Sequence, residues 1–294
     1  MPGASEQVVA QLSINGVGLE FEKAVTQTAK FLLDDNNHKI TGVPYNLAHR
    51  VEESIELHRL AVDMQPTPEE VDVILPFLGF SESADVWTPD GVIDSFALKA
   101  DVVAKVHTYP ECYIAVAEWK AQKGGYLELH LEIFGRSLTL PEGAAGSFAD
   151  AKVAATAPYG FTRGTYKHGA TEYEFDQVKI VQNNNLAARF NNNPTFDSAQ
   201  TTGMEWFVGI STPYTSTEAG IFTAAATDPV PGVDDLLVSF TRSAQELKWL
   251  FDNAKWEAQA PPLTGKRDEV RLPQWWRTYL DDADDLVTIT NTVA

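Results

Sequence analysis

The chain has one cysteine, Cys112, so it can form no intramolecular disulfide and no cysteine zinc site. Cys112 sits in an apolar stretch, where a buried thiol is expected. Cations are scarce: 22 Lys and Arg stand against 41 Asp and Glu, for a net charge of −19 over 294 residues. That balance argues against a protein that grips nucleic-acid phosphates, which needs clustered Lys and Arg. The six histidines (His38, His49, His58, His107, His130 and His168) are scattered, with no His-x-His or His-Glu-x-x-His spacing for a metal. The acidic run Asp281-Asp282-Ala283-Asp284-Asp285 lacks the spaced ligands and glycine of a calcium loop, and reads as a solvated turn. There is no phosphate-cradling glycine loop and no G-x-S-x-G elbow. No run approaches the roughly 18 apolar residues of a membrane-crossing helix. The opening MPGASEQVVAQLSING lacks the basic start and apolar run of a signal peptide. The expectation is a soluble protein made in a cytoplasm, with no catalytic residue, no metal and no cofactor.

What is present is β patterning around one stretch, Val51 to Phe80. Ile55 and Leu57 alternate against Glu52, Ser54, Glu56 and His58, which marks a strand with a wet and a dry face. Leu60, Val62 and Met64 then form the apolar set, so the phase slips by one near His58, as at a bulge. Pro66 ends the strand. Thr67 reads as an N-cap, with Pro68 in the first turn and Glu69 and Glu70 at its positive end. Val71, Ile74, Leu75 and Leu78 have helical spacing, and Gly79 closes a helix over 67–78.

Along the chain, residues 1–45 read as an N-terminal arm or strand, and 46–140 as a first domain. The latter holds a loop from Ser81 to Asp94, a strand from Phe96 to Thr108 and a central strand from Cys112 to Trp119. A turn at Lys123-Gly124-Gly125 leads into Tyr126 to Phe134, with Leu127, Leu129, Leu131 and Ile133 inward and Glu128, His130 and Glu132 outward. Residues 141–172, rich in Gly, Ala and Pro, read as a linker or insertion. Residues 173–294 form a second domain. It carries strands at 173–181, 186–190 and 205–212, a short helix over 217–225 that buries Ile221 and Phe222, and four further strands. Strand, Pro, Thr, Glu, short apolar helix at 204–225 repeats the order at 55–78, so the chain reads as two tandem copies.

Three pieces together resemble the tail tube (major tail) proteins of long-tailed, siphophage-type bacteriophages. They are Val51 to Gly79, Lys179 to Tyr214 with its Asn185-Leu186-Ala187-Ala188-Arg189-Phe190, and an ending that runs from Ala260-Pro261-Pro262 through Arg271-Leu272-Pro273 to Val287-Thr288-Ile289-Thr290-Asn291. The resemblance covers about residues 41–294; residues 1–40 match nothing in the family. It implies a mainly β fold of two β-barrel or sandwich domains, each with a short flanking helix. It also implies stacked rings that form the hollow tail tube around a tape-measure protein and later conduct DNA during ejection. The expected location is the virion, with tail terminator and distal tail proteins as further partners and DNA passing without specific binding. A two-domain chain is expected as a homotrimeric, pseudo-hexameric ring, with a hexamer as the alternative; no membrane is involved. An acidic bore would let DNA pass unbound, and the candidate lining residues are Glu52, Glu56, Glu128, His130 and Glu132. The candidate packing helices carry Val71, Ile74, Leu75, Leu78, Ile221 and Phe222. The runner-up is a carbohydrate- or receptor-binding β-sandwich, in which Trp275, Trp276 and Tyr279 stack on sugar. Against it, Trp275 and Trp276 on one strand face opposite sides, one to the core and one to a subunit contact. An enzyme stands third, because carboxylates are many and no spacing picks out a pair.

Overall fold

The structure, a computed structural model, describes residues 5–8, 11–33, 52–102, 105–136, 138–139, 150–153, 156–189, 198–201, 203–214, 234–257, 271–278 and 287–293. The first half holds β1 (Ser5–Val8), β2 (Gln11–Ile14), β3 (Val17–Leu19), β4 (Lys23–Leu33), β5 (Glu52–Met64), helix α1 (Pro68–Ile74), β6 (Phe80–Ser83), β7 (Val86–Pro89), β8 (Phe96–Val102), β9 (Lys105–Gln122) and β10 (Glu128–Gly135). The second holds β11 (Gly164–His168), β12 (Thr171–Tyr173), β13 (Gln177–Asn183), β14 (Leu186–Arg189), β15 (Ser198–Thr201), β16 (Glu205–Pro213), β17 (Asp234–Arg242), β18 (Gln245–Glu257), β19 (Arg271–Thr278) and β20 (Thr288–Thr292). The chain is mainly β. All strands but β14 and β15 join one antiparallel hydrogen-bonded network of 18 strands.

The stretch 52–80 folds largely as its pattern predicts. Thr67 caps α1 in a full capping box: its side chain accepts from Glu70 N–H, while Glu70 accepts from Thr67 N–H at 2.9 Å. The helix is shorter than expected, because Pro76 removes a backbone donor and Leu75–Leu78 tighten into a 3-10 turn. Gly79 closes that turn at φ 84°, and Val71, Ile74, Leu75 and Leu78 are fully buried. The bulge lies elsewhere than the pattern predicts. His58 is buried in phase with Leu60, Val62 and Met64, and the shift between β4 and β5 falls between Phe31 and Leu32, opposite Ser54. A buried histidine on the dry face imitated a wet position.

Three other expectations are corrected. The loop over 81–94 is in part the hairpin β6–β7, turned by Ala84 and Asp85, both at positive φ, the pair a primed turn requires. The strand over 96–108 is two strands, because β8 turns back into β9 after Val102. Residues 164–168 of the presumed linker form β11, which pairs along β17 and buries Tyr166. The expected central strand is present: Cys112, Ile114, Ala117 and Trp119 of β9 are buried, and β9 pairs with β10 on one side and with β8 and β13 on the other. The expected helix at 217–225, with Ile221 and Phe222, lies outside the described residues, as does all of 34–51.

The pairing pattern occurs twice. Hairpin β2–β3 lies on β8, as hairpin β11–β12 lies on β17. β8 pairs with β9, as β17 pairs with β18. The order β4-β5-β10-β9 is matched by β13-β16-β19-β18. Even a terminal contact recurs: Glu22 N–H donates to Asp63 O and Asp176 N–H to Ser211 O, both at 2.8 Å. The two patterns share one core. Trp119 of β9 meets Trp249 of β18 edge-on at 5.3 Å, and Trp206 of β16 packs between Phe80 and Phe251. C-terminal strand β20 returns to the first half, pairing with β7, and Asn291 donates to Pro68 O at 2.8 Å and to Asp72 at 2.6 Å.

Two stability predictions follow from α1. Buried Glu70 is the acceptor for Thr67 N–H and for Glu20 N–H, the latter at 2.7 Å. Glu70→Ala strands both donors and should cost about 1–3 kcal/mol in urea unfolding, far more than an exposed Glu→Ala change. Asp72, against β20, has its carboxyl pushed up to about 6 by burial, opposed by the Asn291 hydrogen bond and reinforced by Glu82, Asp85 and Glu69. A pKa raised in the folded state adds stability below the unfolded value near 4 and loses it as pH rises through about 6. The wild-type advantage over Asp72→Asn should therefore shrink between pH 4 and 6.5. A wild-type-minus-variant difference that stays flat across that range defeats this assignment.

Candidate functional surface

Strand alternation sends one set of side chains into the core and the other onto a single broad sheet face. This face runs across β4, β5, β10, β9, β13, β16, β19 and the end of β18. One row crosses all eight strands in register: Lys23, Asp63, His130, Glu118, Val181, Phe207, Arg277 and Lys255. Leu129, Leu131 and Ile133 of β10, Val178 and Ile180 of β13, and Trp206, Val208 and Ile210 of β16 supply the buried side. The inward sets of β10 and β16 are the ones the sequence predicts.

Of the predicted lining residues, Glu128 and His130 are half-buried and Glu132 is exposed, all three on this face. Glu52 and Glu56 pair with Leu33 and Lys30 of β4, beyond the point where β10 ends opposite His58. The structure therefore brings together Glu128, His130 and Glu132 and does not place Glu52 and Glu56 alongside them. The side chains of Glu52 and Glu56 lie outside the described residues.

The neighbours of the stripe change its character. His130 Nδ1 lies 2.5 Å from Asp63, Lys179 pairs with Glu118 at 2.8 Å, and Arg277 pairs with Glu205 at 3.0 Å. Arg59 lies over the Phe134 ring at 5.5 Å and Arg277 over Phe207 at 5.4 Å. Among described side chains the face carries cations at Lys23, Arg59, Lys120, Lys179, Lys255, Arg271 and Arg277. Its carboxylates are Asp63, Glu118, Glu128, Glu132 and Glu205. Among these described side chains the face carries no acidic excess. Sequence reasoning missed the cations because they come from strands far apart in the chain. Alternation gives the facing of each residue but no order of strands.

Trp275 and Trp276 face opposite sides, as expected: Trp276 is 4% exposed in the core and Trp275 is 41% exposed on the sheet face. The Trp275 ring lies over Gly209, where an added Cβ would approach the indole to 2.8 Å. The indole thus packs on its own sheet. A groove of about 360 Å³ runs between β4, β5 and β10, lined by Lys23, Arg59, Asp63, His130, Glu132 and Phe134. It offers charges of both signs without a nucleophile beside a base. Among the described residues no group of three or more His, Cys, Asp or Glu could hold a metal ion. No described helix is long and apolar enough to cross a membrane. Neither a protein-family profile nor a curated protein matches the chain.

Proposed function

We propose that this chain is a tail tube subunit of a siphophage-type bacteriophage, built as two tandem tube domains. On this reading it is a structural virion protein that acts by assembly and not by catalysis. The observation that carries it is the sheet β4-β5-β10-β9-β13-β16-β19-β18, two four-strand units of the same pairing order joined side by side through β9 and β13. A chain that joins two such units internally can join further units to other copies by the same geometry. A head-to-tail contact of this kind closes into a ring, whose two unlike faces can then stack.

Strand spacing decides how many copies suit a conduit. Strands stand about 4.8 Å apart, and side chains reach about 5 Å from each wall. Two chains of eight strands give a backbone circle about 24 Å across and leave about 14 Å clear, too narrow for duplex DNA. Three chains give about 37 Å and leave about 27 Å, more once the strands tilt. This favours the homotrimeric, pseudo-hexameric ring over smaller closures. The tape-measure, tail terminator and distal tail proteins are the partners such a tube requires, with DNA in transit.

Negative-stain electron microscopy with native mass measurement tests the reading. Hollow rings or stacked tubes with three chains per ring are expected. Six chains per ring would keep the tube and remove the role assigned to the duplicated pairing. A monomer that never assembles, even with tail extract, would favour the carbohydrate-binding alternative, and Trp275→Ala would then be the variant to test for lost sugar binding. The balanced face generates a second prediction. Replacing Glu128 and Glu132 together by Lys adds unpaired cations to the bore. Tubes should form normally and DNA ejection should slow, because phosphates gain counterion-releasing contacts. Unchanged ejection kinetics would mean that these residues do not face the DNA.

A further inference from the structure

Between the two units, one outward pair of residues recurs although its members have exchanged strands. The hydrogen bonds from Glu22 N–H to Asp63 O and from Asp176 N–H to Ser211 O align Lys23, opposite Asp63, with Gln177, opposite Ser211. From there the outward pairs of β5 with β10 fall on those of β16 with β19. Asp63 with His130 corresponds to Ser211 with Pro273, and Ala61 with Glu132 corresponds to Gly209 with Trp275. Neither of these keeps its chemistry. Arg59 with Phe134 corresponds to Phe207 with Arg277, so the arginine and the phenyl ring are both kept, each on the other's strand. In both units the guanidinium lies over the ring, at 5.5 Å and 5.4 Å from its centroid. A packing requirement would fix which strand carries the ring. Both rings are half-buried on the outward face, and what recurs is the couple itself.

We propose that Phe134 and Phe207 are positioning residues, each holding an arginine against the wall of the bore and away from the phosphates of passing DNA. This role rests on the ring reading above. In a pseudo-sixfold ring equivalent positions share one height, so three chains set six such couples around the bore. Arginine forks onto two phosphate oxygens and is weakly hydrated, which makes it the cation whose restraint matters most. Six guanidiniums free to extend at one height would release counterions from the duplex and hold it. A ring within about 6 Å attracts the cation through its quadrupole and favours the wall-bound side chain about two- to fivefold. Arg277 has a second restraint in Glu205, at 3.0 Å.

Tubes assembled from the full chain test this with a short DNA duplex of mixed sequence, co-sedimented with them over a range of salt. Phe134→Leu with Phe207→Leu keeps apolar bulk and removes the quadrupole. Duplex binding should tighten about two- to fivefold and fall more steeply with salt. Phe134→Leu alone should give the larger share of the gain, because Arg277 keeps its bond to Glu205. Adding Arg59→Gln and Arg277→Gln to the double variant should remove the gain, which a merely structural role of the rings would not do. Phe134→Trp with Phe207→Trp supplies a stronger platform and should weaken binding. Unchanged or weaker binding by tubes of the Leu variant overturns the restraint and leaves the ring reading standing. If the Leu variant does not assemble, the Trp variant decides: binding equal to or tighter than wild type overturns the restraint. If wild type forms no tubes, the ring reading itself falls and this inference with it.

Discussion

The ladder between β9 and β13 is the contact on which the rest of the molecule depends. β9 is 18 residues long and changes neighbour partway: its first part pairs with β8, and Val116 to Gln122 pair with β13. The partner change occurs near a bulge, where the β10 ladder shifts between Glu132 and Ile133. A bulge bends a strand and increases its twist, so a single strand can leave one sheet surface and enter another. Without this ladder the two units would share side-chain packing but no continuous sheet face.

Buried polar groups hold that junction in one register. Gln182 of β13 donates to Leu78 O and to Asn184 Oδ1, both at 2.7 Å, and Asn184 donates to Ile114 O at 2.8 Å. The 3-10 turn after α1, β9 and β13 are thereby tied at one point. A one-residue slip of β13 would strand these groups without partners in the core and turn Val178 and Ile180 outward. The Trp119–Trp249 contact adds an apolar tie behind the ladder. Asn291 adds a third, joining the last strand to α1 and accepting from Tyr159 at 3.1 Å.

The sequence was most legible where a period and a stop signal coincided. The capping box at Thr67 and Glu70, the alternation of Leu127 to Ile133, and the Trp206, Val208, Ile210 face all needed only local rules. Two of the failures share a cause, which is turns without turn residues. β8 ends at Val102 and β9 begins at Lys105, and the sequence across that step continues an apolar alternation. The β6–β7 turn uses Ala84 and Asp85 where Gly or Asn would announce it. β11 hid in a segment whose Gly and Pro content suggested a connector, although Tyr159 and Tyr166 there are fully buried. The β10 part of the predicted stripe, Glu128, His130 and Glu132, sits on the outward face, but its charge environment depends on which strands lie beside it. Lys179 and Glu118 are 61 positions apart in the chain and 2.8 Å apart in space, a pairing no local rule contains.

For a conduit of the proposed kind, a paired wall answers the transport problem better than a purely acidic one. Free cations would bind phosphates through counterion release and hold the duplex. A dense carboxylate lining would repel it, at the cost of strong self-repulsion among the subunits that form the ring. On this face Lys179 and Arg277 are engaged with Glu118 and Glu205, and Arg59 and Arg277 with aromatic rings, so a passing phosphate gains only what it takes from an existing contact. Among its described side chains this face carries no acidic excess, although the chain's net charge is −19. Sheets pack about 10 Å apart, and the screening length at physiological salt is about 8 Å, so charge behind one packed layer acts only weakly on the bore. In a conduit of the proposed kind, acidity carried away from the bore would keep subunits dispersed before assembly, and a paired face would let DNA pass after it.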